Sequence, residues 1–346
     1  MKYFAIALTS AIALSSAALA NQEDERNHPS VEVSFVSDGT ELHGTLYKPH
    51  GEGPFPAIIA FHGSGSPDRD LLMYRHLAEV LTPQGVAVFL YDRRDISIPP
   101  EERTSLDYRV LAADGAAAAR AIAARDSIDA ERVGAWGVSQ GGWLVPMANT
   151  IAPEAINFQI LVSPSGEGPA GQMMYATERG LRDAGLDEDT IQAALEVRRT
   201  IYAYFRHEIT RDEAQQAVDT IKDEPWYDMM YMGRDVIADP TLSGWYQEMR
   251  FEPQEYFERI DTPVALIFAG DDPLIDIDSS KEIFRAALAE AGNNDFEIHR
   301  IAGTGHTMLL NEAELLADPD NITLEDFASG YEQAMIGFLE RFVLNR

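Results

Sequence analysis

The chain has 346 residues, and 57 acidic against 27 basic side chains give it a formal net charge of −30 at pH 7. A chain this acidic is repelled by nucleic acids and by anionic lipids, so we expect no nucleic-acid partner. The sequence contains no cysteine, which excludes structural disulfides and a lipid-modified cysteine.

Residues 1–20 have the pattern of a signal peptide. Lys2 supplies a positive start, an apolar stretch follows, and Ala18 and Ala20 are small residues at the cleavage positions. The apolar stretch is short for a membrane span, and no later segment reaches that length. We therefore predict cleavage after Ala20, a periplasmic or secreted protein, and no membrane span in the mature chain. The alternative is an N-terminal membrane anchor.

The mature chain begins with a predicted β-hairpin, because residues 31–49 alternate apolar and polar side chains on either side of Asp38-Gly39. Continuous apolar runs then alternate with helical patterns, which indicates strands buried on both faces. This alternation predicts an α/β fold with a mostly parallel central sheet and helices on both faces. The predicted buried strands lie in "PAIIAFHG", "VAVFLYD", "RVGAWGVS", "FQILVSP", "TPVALIFAG" and "DFEIHRIAG".

The alternation of strands and helices stops between residues 165 and 260. This segment is helical in pattern and rich in methionine and aromatic residues. The sequence therefore predicts a core formed by residues 21–164 and 261–346, interrupted by a helical insertion at 165–260.

A candidate nucleophile stands where a buried strand meets a helix, in Gly137-Val138-Ser139-Gln140-Gly141. A sharp turn at this point exposes the serine hydroxyl above the sheet edge, and small neighbours let the backbone crowd together. The N–H groups at the start of the helix favour developing negative charge. The pattern in this position indicates a nucleophile elbow built on Gly137 and Gly141.

A serine needs a base, and the base needs an orienting carboxylate. His306 lies in "AGTGHTML", a glycine-rich loop that directly follows a predicted strand. Asp271, Asp272 and Asp276 follow the preceding predicted strand and are the candidates for the carboxylate.

Two backbone amides are needed to bind the oxyanion of a tetrahedral intermediate. The amide of Gln140 follows the nucleophile directly. The second donor is expected in "FHGSGS", where we favour the amide of Ser64, with Gly63 and Gly65 as alternatives. His62 lies in the same turn and is interpreted as a residue that supports this loop.

Five stretches, "HGSGSPDRD", "YDRRDIS", "RVGAWGVSQGGW", "PVALIFAGDDPLID" and "GTGHTML", together resemble the α/β-hydrolase superfamily. The chain is most similar there to bacterial serine esterases of the dienelactone-hydrolase-like and acyl-peptide-hydrolase-like groups. The resemblance implies that Asp272, which precedes Pro273, is the triad acid, and that the insertion is a lid. Such esterases have glycines where this chain has Asp95 and Ser97, so we expect this turn to differ.

The expected function is a secreted serine hydrolase that cleaves small-molecule carboxylic esters through an acyl-enzyme on Ser139. The alternatives are a serine peptidase, an acyl thioesterase or an acyltransferase with the same triad, and a non-catalytic binding protein with a hydrolase fold. Metal-binding and dinucleotide-binding motifs are missing from the sequence, so we expect neither a metal nor a cofactor. The oligomeric state is not indicated.

Four residues of the insertion are predicted to line the substrate pocket. Methionine and aromatic side chains fill irregular apolar pockets well, and they are concentrated near the middle of the insertion. These residues are Trp226, Tyr227, Met230 and Tyr231.

Overall fold

A computed structural model describes residues 28–98, 107–230, 232–243 and 245–345. The predicted signal peptide, residues 1–20, and the predicted pocket residue Tyr231 lie outside these described residues. No helix within the described ranges is both long and apolar enough to cross a membrane.

In the described part of the chain, eight strands form one sheet in the order β1-β2-β4-β3-β5-β6-β7-β8. The pairs β1–β2 and β2–β4 are antiparallel, and the other neighbours are parallel. The strands are β1 (Ser30–Ser37), β2 (Thr40–Tyr47), β3 (Phe55–Phe61), β4 (Ala87–Tyr91), β5 (Ile128–Val138), β6 (Gln159–Val162), β7 (Val264–Ala269) and β8 (Phe296–Ile301).

The predicted hairpin is confirmed as β1 and β2, which turn at Asp38 and Gly39. Both residues have positive φ, 45° and 76°, which a two-residue turn requires if it is to match the twist of the strands. Alternate side chains along β1 are buried, as expected for a strand that packs one face on the core.

Eleven α-helices occur in the described part of the chain, and 3₁₀ turns connect several of them. The helices are α1 (Leu72–Leu81), α2 (Tyr108–Ala123), α3 (Gly141–Ile151), α4 (Pro169–Asp183), α5 (Glu188–Phe205), α6 (Arg211–Asp219), α7 (Trp245–Glu248), α8 (Gln254–Phe257), α9 (Ile277–Glu290), α10 (Glu312–Leu315) and α11 (Ser329–Leu339).

Helices cover both faces of the sheet, which confirms the predicted α/β class. Successive side chains of a strand point to opposite faces. Along β3, Ile59 and Phe61 pack with α2, α3 and α9, whereas Ile58 and Ala60 pack with α1 and α11. All four side chains are buried, which explains why β3 reads as a continuous apolar run.

Helices α4, α5 and α6 lie between β6 and β7 and form a third hydrophobic cluster. The buried residues of α5 include Ile191, Leu195, Arg198 and Tyr202, at the three- and four-residue spacing of one helix face. Helix α6 begins with a reciprocal capping box between Thr210 and its third residue. We call residues 165–260 the insertion.

Candidate active site

Ser139 stands in a strained turn between β5 and α3. Its φ of 53° lies in the left-handed region, which a non-glycine residue adopts only where the surroundings enforce it. A Cβ on Gly137 would come within 2.4 Å of the Gly141 carbonyl oxygen, and a Cβ on Gly141 within 2.8 Å of the Phe61 carbonyl oxygen. Both glycines are therefore required by close backbone contact at this elbow.

His306 is hydrogen-bonded to Asp272, with 2.8 Å between Nδ1 and Oδ2. Asp272 is only 1% exposed, and its other oxygen accepts hydrogen bonds from the amides of Leu274 (2.9 Å) and Ile275 (3.1 Å). These amides fix the carboxylate, and the carboxylate in turn fixes the imidazole. Because Nδ1 is engaged, Nε2 is the ring nitrogen left for proton transfer.

The other two candidate aspartates have different contacts. Asp271 is exposed and forms a bidentate ion pair with Arg179, with both N–O distances at 2.9 Å. Asp276 caps α9 by accepting a hydrogen bond from the amide of Ser279 at 3.0 Å. Of the three aspartates, Asp272 is the one that the structure brings to His306.

Two opposing effects act on the pKa of His306. Burial lowers it, but the charge and hydrogen bond of Asp272, together with the charge of Glu312, outweigh burial and raise the pKa above its ordinary value. The pair is thus arranged to stabilise an imidazolium, which is what a general base needs once it has accepted a proton.

Glu312 holds the loop that carries His306, and sequence reasoning missed it. Its Oε1 accepts a hydrogen bond from the Thr307 amide at 2.8 Å and a second one from the Thr307 hydroxyl. A Cβ on Gly305 would collide with the same carboxylate, so a larger residue there would displace the Glu312 side chain. Burial raises the pKa of Glu312, against the effect of Thr307 and His306. An acidic residue at the start of a short helix carries no distinctive sequence signal.

The turn after β3 lies beside the elbow. The Gly63 amide donates a hydrogen bond to the Tyr74 hydroxyl at 3.1 Å, so this amide is already engaged. Ser64 is exposed and lines the same cavity of about 50 Å³ as Ser139 and His306, whereas Gly65 is not part of that lining. Of the three alternative donors, Ser64 therefore fits this cavity best.

His62 supports this turn from inside the core. The ring is 3% exposed, lies edge-on to Tyr74 and Tyr91, and has Nε2 2.6 Å from the Tyr91 carbonyl oxygen. Burial, helped by the charge of Arg93, lowers the pKa of His62 to about 3. The side chain is thus a neutral structural residue, as the sequence interpretation had it.

Most of the apolar wall of the cavity comes from Leu71 and the first turn of α1. Leu71, Met73 and Tyr74 line the cavity together with Val138. Sequence reasoning did not assign them to the site. In the sequence, these residues show only a helical pattern directly after the "HGSGS" turn. A helix that merely packs against the sheet would show the same pattern.

Comparison with known proteins identifies the family. Residues 58–318 match the model of the alpha/beta hydrolase family. This chain belongs to that family. The resemblance drawn from the sequence motifs is confirmed.

Individual relatives are distant. The alpha/beta hydrolase described here is 23% identical to the esterase EstD of Thermotoga maritima over 279 residues, which cover 79% of this chain and 59% of EstD. It is 30% identical to the thiohydrolase aneE of Aspergillus aculeatus over 128 residues, 36% of this chain and 38% of aneE. The chain thus spans less than two thirds of either relative. An esterase of Pyrococcus furiosus has the same fold, with a TM-score of 0.57, 15% identity, and coverage of 94% of this chain and 95% of that one.

Asp95 and Ser97, where the resemblance led us to expect a different turn, lie next to the site. Arg93 forms a bidentate ion pair with Asp95, with distances of 2.7 and 2.8 Å, and both side chains are buried. Arg93 also donates a hydrogen bond to the Gly63 carbonyl oxygen at 3.4 Å. Asp95 is therefore the counter-ion of a buried guanidinium that contacts the turn containing Ser64.

The insertion contacts the core of this alpha/beta hydrolase near the same turn. Phe251 packs edge-on against Tyr108 and lies next to Trp143, with ring centroids 4.9 and 6.1 Å apart. Burial raises the pKa of Glu248 on α7 to about 7, and the charge of Arg93 opposes that rise. The carboxyl group of Glu248, in the insertion, is therefore close enough to Arg93 for the two to interact electrostatically.

The predicted pocket residues of the insertion have other surroundings. In contrast to the prediction, Tyr227 and Met230 are fully buried in the insertion's own cluster, and Trp226 packs against that cluster. The Tyr227 hydroxyl donates to the Gly233 carbonyl oxygen at 2.8 Å. None of the three lines the cavity at Ser139. The short 3₁₀ turn that carries Tyr227 and Met230 directs them inward because the insertion needs a core of its own.

The described ranges contain no cluster of three or more histidine, aspartate or glutamate side chains arranged to hold a metal ion.

Proposed function

We propose that this alpha/beta hydrolase is a serine hydrolase that cleaves carboxylic esters through an acyl-enzyme on Ser139. One observation carries the proposal. His306, hydrogen-bonded to the buried carboxylate of Asp272, lines the same cavity as a serine held at a positive φ. Esterase names among its relatives support the choice of an ester as substrate.

In the proposed reaction, Ser139 Oγ attacks the acyl carbonyl while Nε2 of His306 takes its proton. Asp272 holds the tautomer and stabilises the imidazolium. The amides of Gln140 and Ser64 bind the oxyanion. His306 then protonates the leaving alcohol, and water activated by the same imidazole cleaves the acyl-enzyme.

The small apolar cavity supports short acyl groups as the preferred substrates. Its volume is about 50 Å³, and Leu71 and Met73 contribute to the wall. The insertion follows β6 at the carboxyl ends of the parallel strands, where α/β sheets bind ligands. We propose it as the lid of the site. The signal-peptide pattern of residues 1–20 supports a periplasmic or secreted location.

The decisive experiment compares the parent chain with Ser139→Ala on p-nitrophenyl acetate, butyrate and octanoate. Removal of a triad nucleophile costs on the order of 10⁶ in kcat. The matched control is Ser64→Ala, which removes a hydroxyl from the same cavity but keeps the backbone amide, and it should retain most of the activity. Turnover by Ser139→Ala within tenfold of the parent would exclude the proposed nucleophile.

A second comparison separates the ester from other acyl substrates. The thiohydrolase name of one relative supports testing an acyl-CoA beside the esters, and aminoacyl-naphthylamides test for peptidase activity. Esters should give the highest kcat/KM. Labelling by diethyl p-nitrophenyl phosphate, located by mass spectrometry, should fall on Ser139 and be lost in Ser139→Ala.

A further inference from the structure

The insertion contains a second cavity, separate from the one at Ser139. Its volume is about 230 Å³, and it shares no lining residue with the cavity at Ser139. An apolar cavity of about 150 Å³ can hold benzene, so this one has room for a somewhat larger small molecule. The lining residues are Arg198, Ile201, Tyr202, Phe205, Met232, Gly233, Asp235, Val236, Ile237, Ser243 and Met249.

One side chain of this lining is a buried cation. Arg198 is 2% exposed and lies on α5. It donates from Nη1 to the Tyr202 hydroxyl at 2.9 Å and from Nη2 to the Met230 carbonyl oxygen, while Nε has no hydrogen-bond partner. Within the described ranges, both of these partners are neutral, and no carboxylate forms an ion pair with Arg198.

A buried guanidinium without a counter-ion destabilises the folded protein. A charge removed from water is stabilised only by ion pairing and hydrogen bonding. Of its five N–H groups, the bonds to Tyr202 and Met230 use two, so three have no hydrogen-bond partner among the described residues. Asp235 also lines the cavity, but its side chain is exposed and forms no ion pair with Arg198. No carboxylate of the described residues forms an ion pair with Arg198, so its guanidinium is available to an anion from outside the chain.

The rest of the lining calls for an apolar body on that anion. Ile201, Phe205, Val236 and Met249 are buried hydrophobic residues of the same cavity. We propose that this cavity, the Arg198 cavity, binds a small monocarboxylate with an apolar chain, its carboxylate on Arg198 and its chain against these residues. Guanidinium and carboxylate match in geometry and charge, so a carboxylate can pair with the N–H groups of Arg198. The site needs no catalytic residue, so it stands independently of the proposed function.

The first test uses the unaltered full chain and isothermal titration calorimetry with sodium hexanoate, hexanamide and hexylammonium chloride. Hexanoate should bind one molecule per chain. Hexanamide, which has the same length and no charge, should bind at least tenfold more weakly, and hexylammonium should not bind. Equal affinities for hexanoate and hexanamide, or no saturable binding of hexanoate at millimolar concentrations, would overturn the proposal.

The second test locates the site with variants. Arg198→Met removes the charge, and Ile201→Trp fills the cavity but keeps Arg198; each should weaken hexanoate binding at least tenfold. The matched control is Arg199→Met, the same change at the exposed neighbouring residue, and it should bind hexanoate as the parent does. Asp235→Asn should bind hexanoate more tightly than the parent does, because it removes a negative charge that repels the ligand's carboxylate.

Circular dichroism establishes that each variant is folded. If Arg198→Met does not fold, Ile201→Trp and the three-ligand series on the parent still decide the matter. A folded Arg198→Met or Ile201→Trp chain that binds hexanoate with the parent's affinity would assign the binding to another place, including the cavity at Ser139, and would refute the Arg198 cavity as the site.

Discussion

Substitution of Asp272 by asparagine tests the geometry of the site most directly. The carboxylate lies 2.8 Å from Nδ1 of His306. At that distance and an effective dielectric constant of about 20, a carboxylate and an imidazolium attract each other by about 6 kcal/mol. This corresponds to about four orders of magnitude in rate. The loss measured for the same change in the serine-protease triad is also about 10⁴.

The assay is kcat/KM for p-nitrophenyl butyrate, with circular dichroism to show that the variant is folded. The matched control is Asp271→Asn, one residue away. It breaks an exposed ion pair with Arg179, and such pairs contribute about 0.2–1 kcal/mol to stability and nothing to the reacting atoms. Activity of Asp272→Asn within tenfold of the parent, or a greater loss in Asp271→Asn, would refute the assignment of the acid.

Two further predictions concern pH. Glu312→Gln keeps an acceptor for Thr307 but removes a negative charge that raises the pKa of His306. The acidic limb of the pH profile of kcat/KM should therefore move to lower pH. A limb at the same pH as in the parent would contradict this. Because burial raises the pKa of Glu248 from 4.5 to about 7, the folded chain keeps a proton that the unfolded chain releases, and stability falls as pH rises through that window. Glu248→Gln removes this titrating group. Between about pH 5 and about pH 8, its free energy of unfolding should therefore rise relative to that of the parent by at most about 3 kcal/mol, as measured by urea titration. If the difference between variant and parent does not change with pH, the prediction is wrong.

The sheet could be predicted because its signals are local. Asp38-Gly39 between two alternating runs specifies a hairpin turn, and β3 is apolar at every position because both of its faces are covered. The elbow at Ser139 was visible for a similar reason. Where a strand ends and a helix begins, two glycines close to a serine are typical of a nucleophile elbow.

The missed residues depend on contacts between distant parts of the chain. Arg93 follows β4 and donates a hydrogen bond to the carbonyl oxygen of Gly63, which follows β3. No sequence pattern pairs these two residues. Within the insertion, composition cannot distinguish a substrate pocket from a core. Tyr227 and Met230 have side chains suited to both, and the helices of the insertion need an apolar centre in order to pack together.

Asp95 stands where the sequence resemblance led us to expect a glycine, and its ion pair with Arg93 gives it a structural role. A glycine there would leave the buried guanidinium of Arg93 without its bidentate partner, and an uncompensated buried charge is strongly destabilising. Arg93 in turn contacts the Gly63 carbonyl oxygen, in the turn that carries Ser64, and its charge acts on Glu248 of the insertion. In this chain the ion pair between Arg93 and Asp95 holds the turn. The same guanidinium is thereby the electrostatic link between the insertion and the turn beside Ser139.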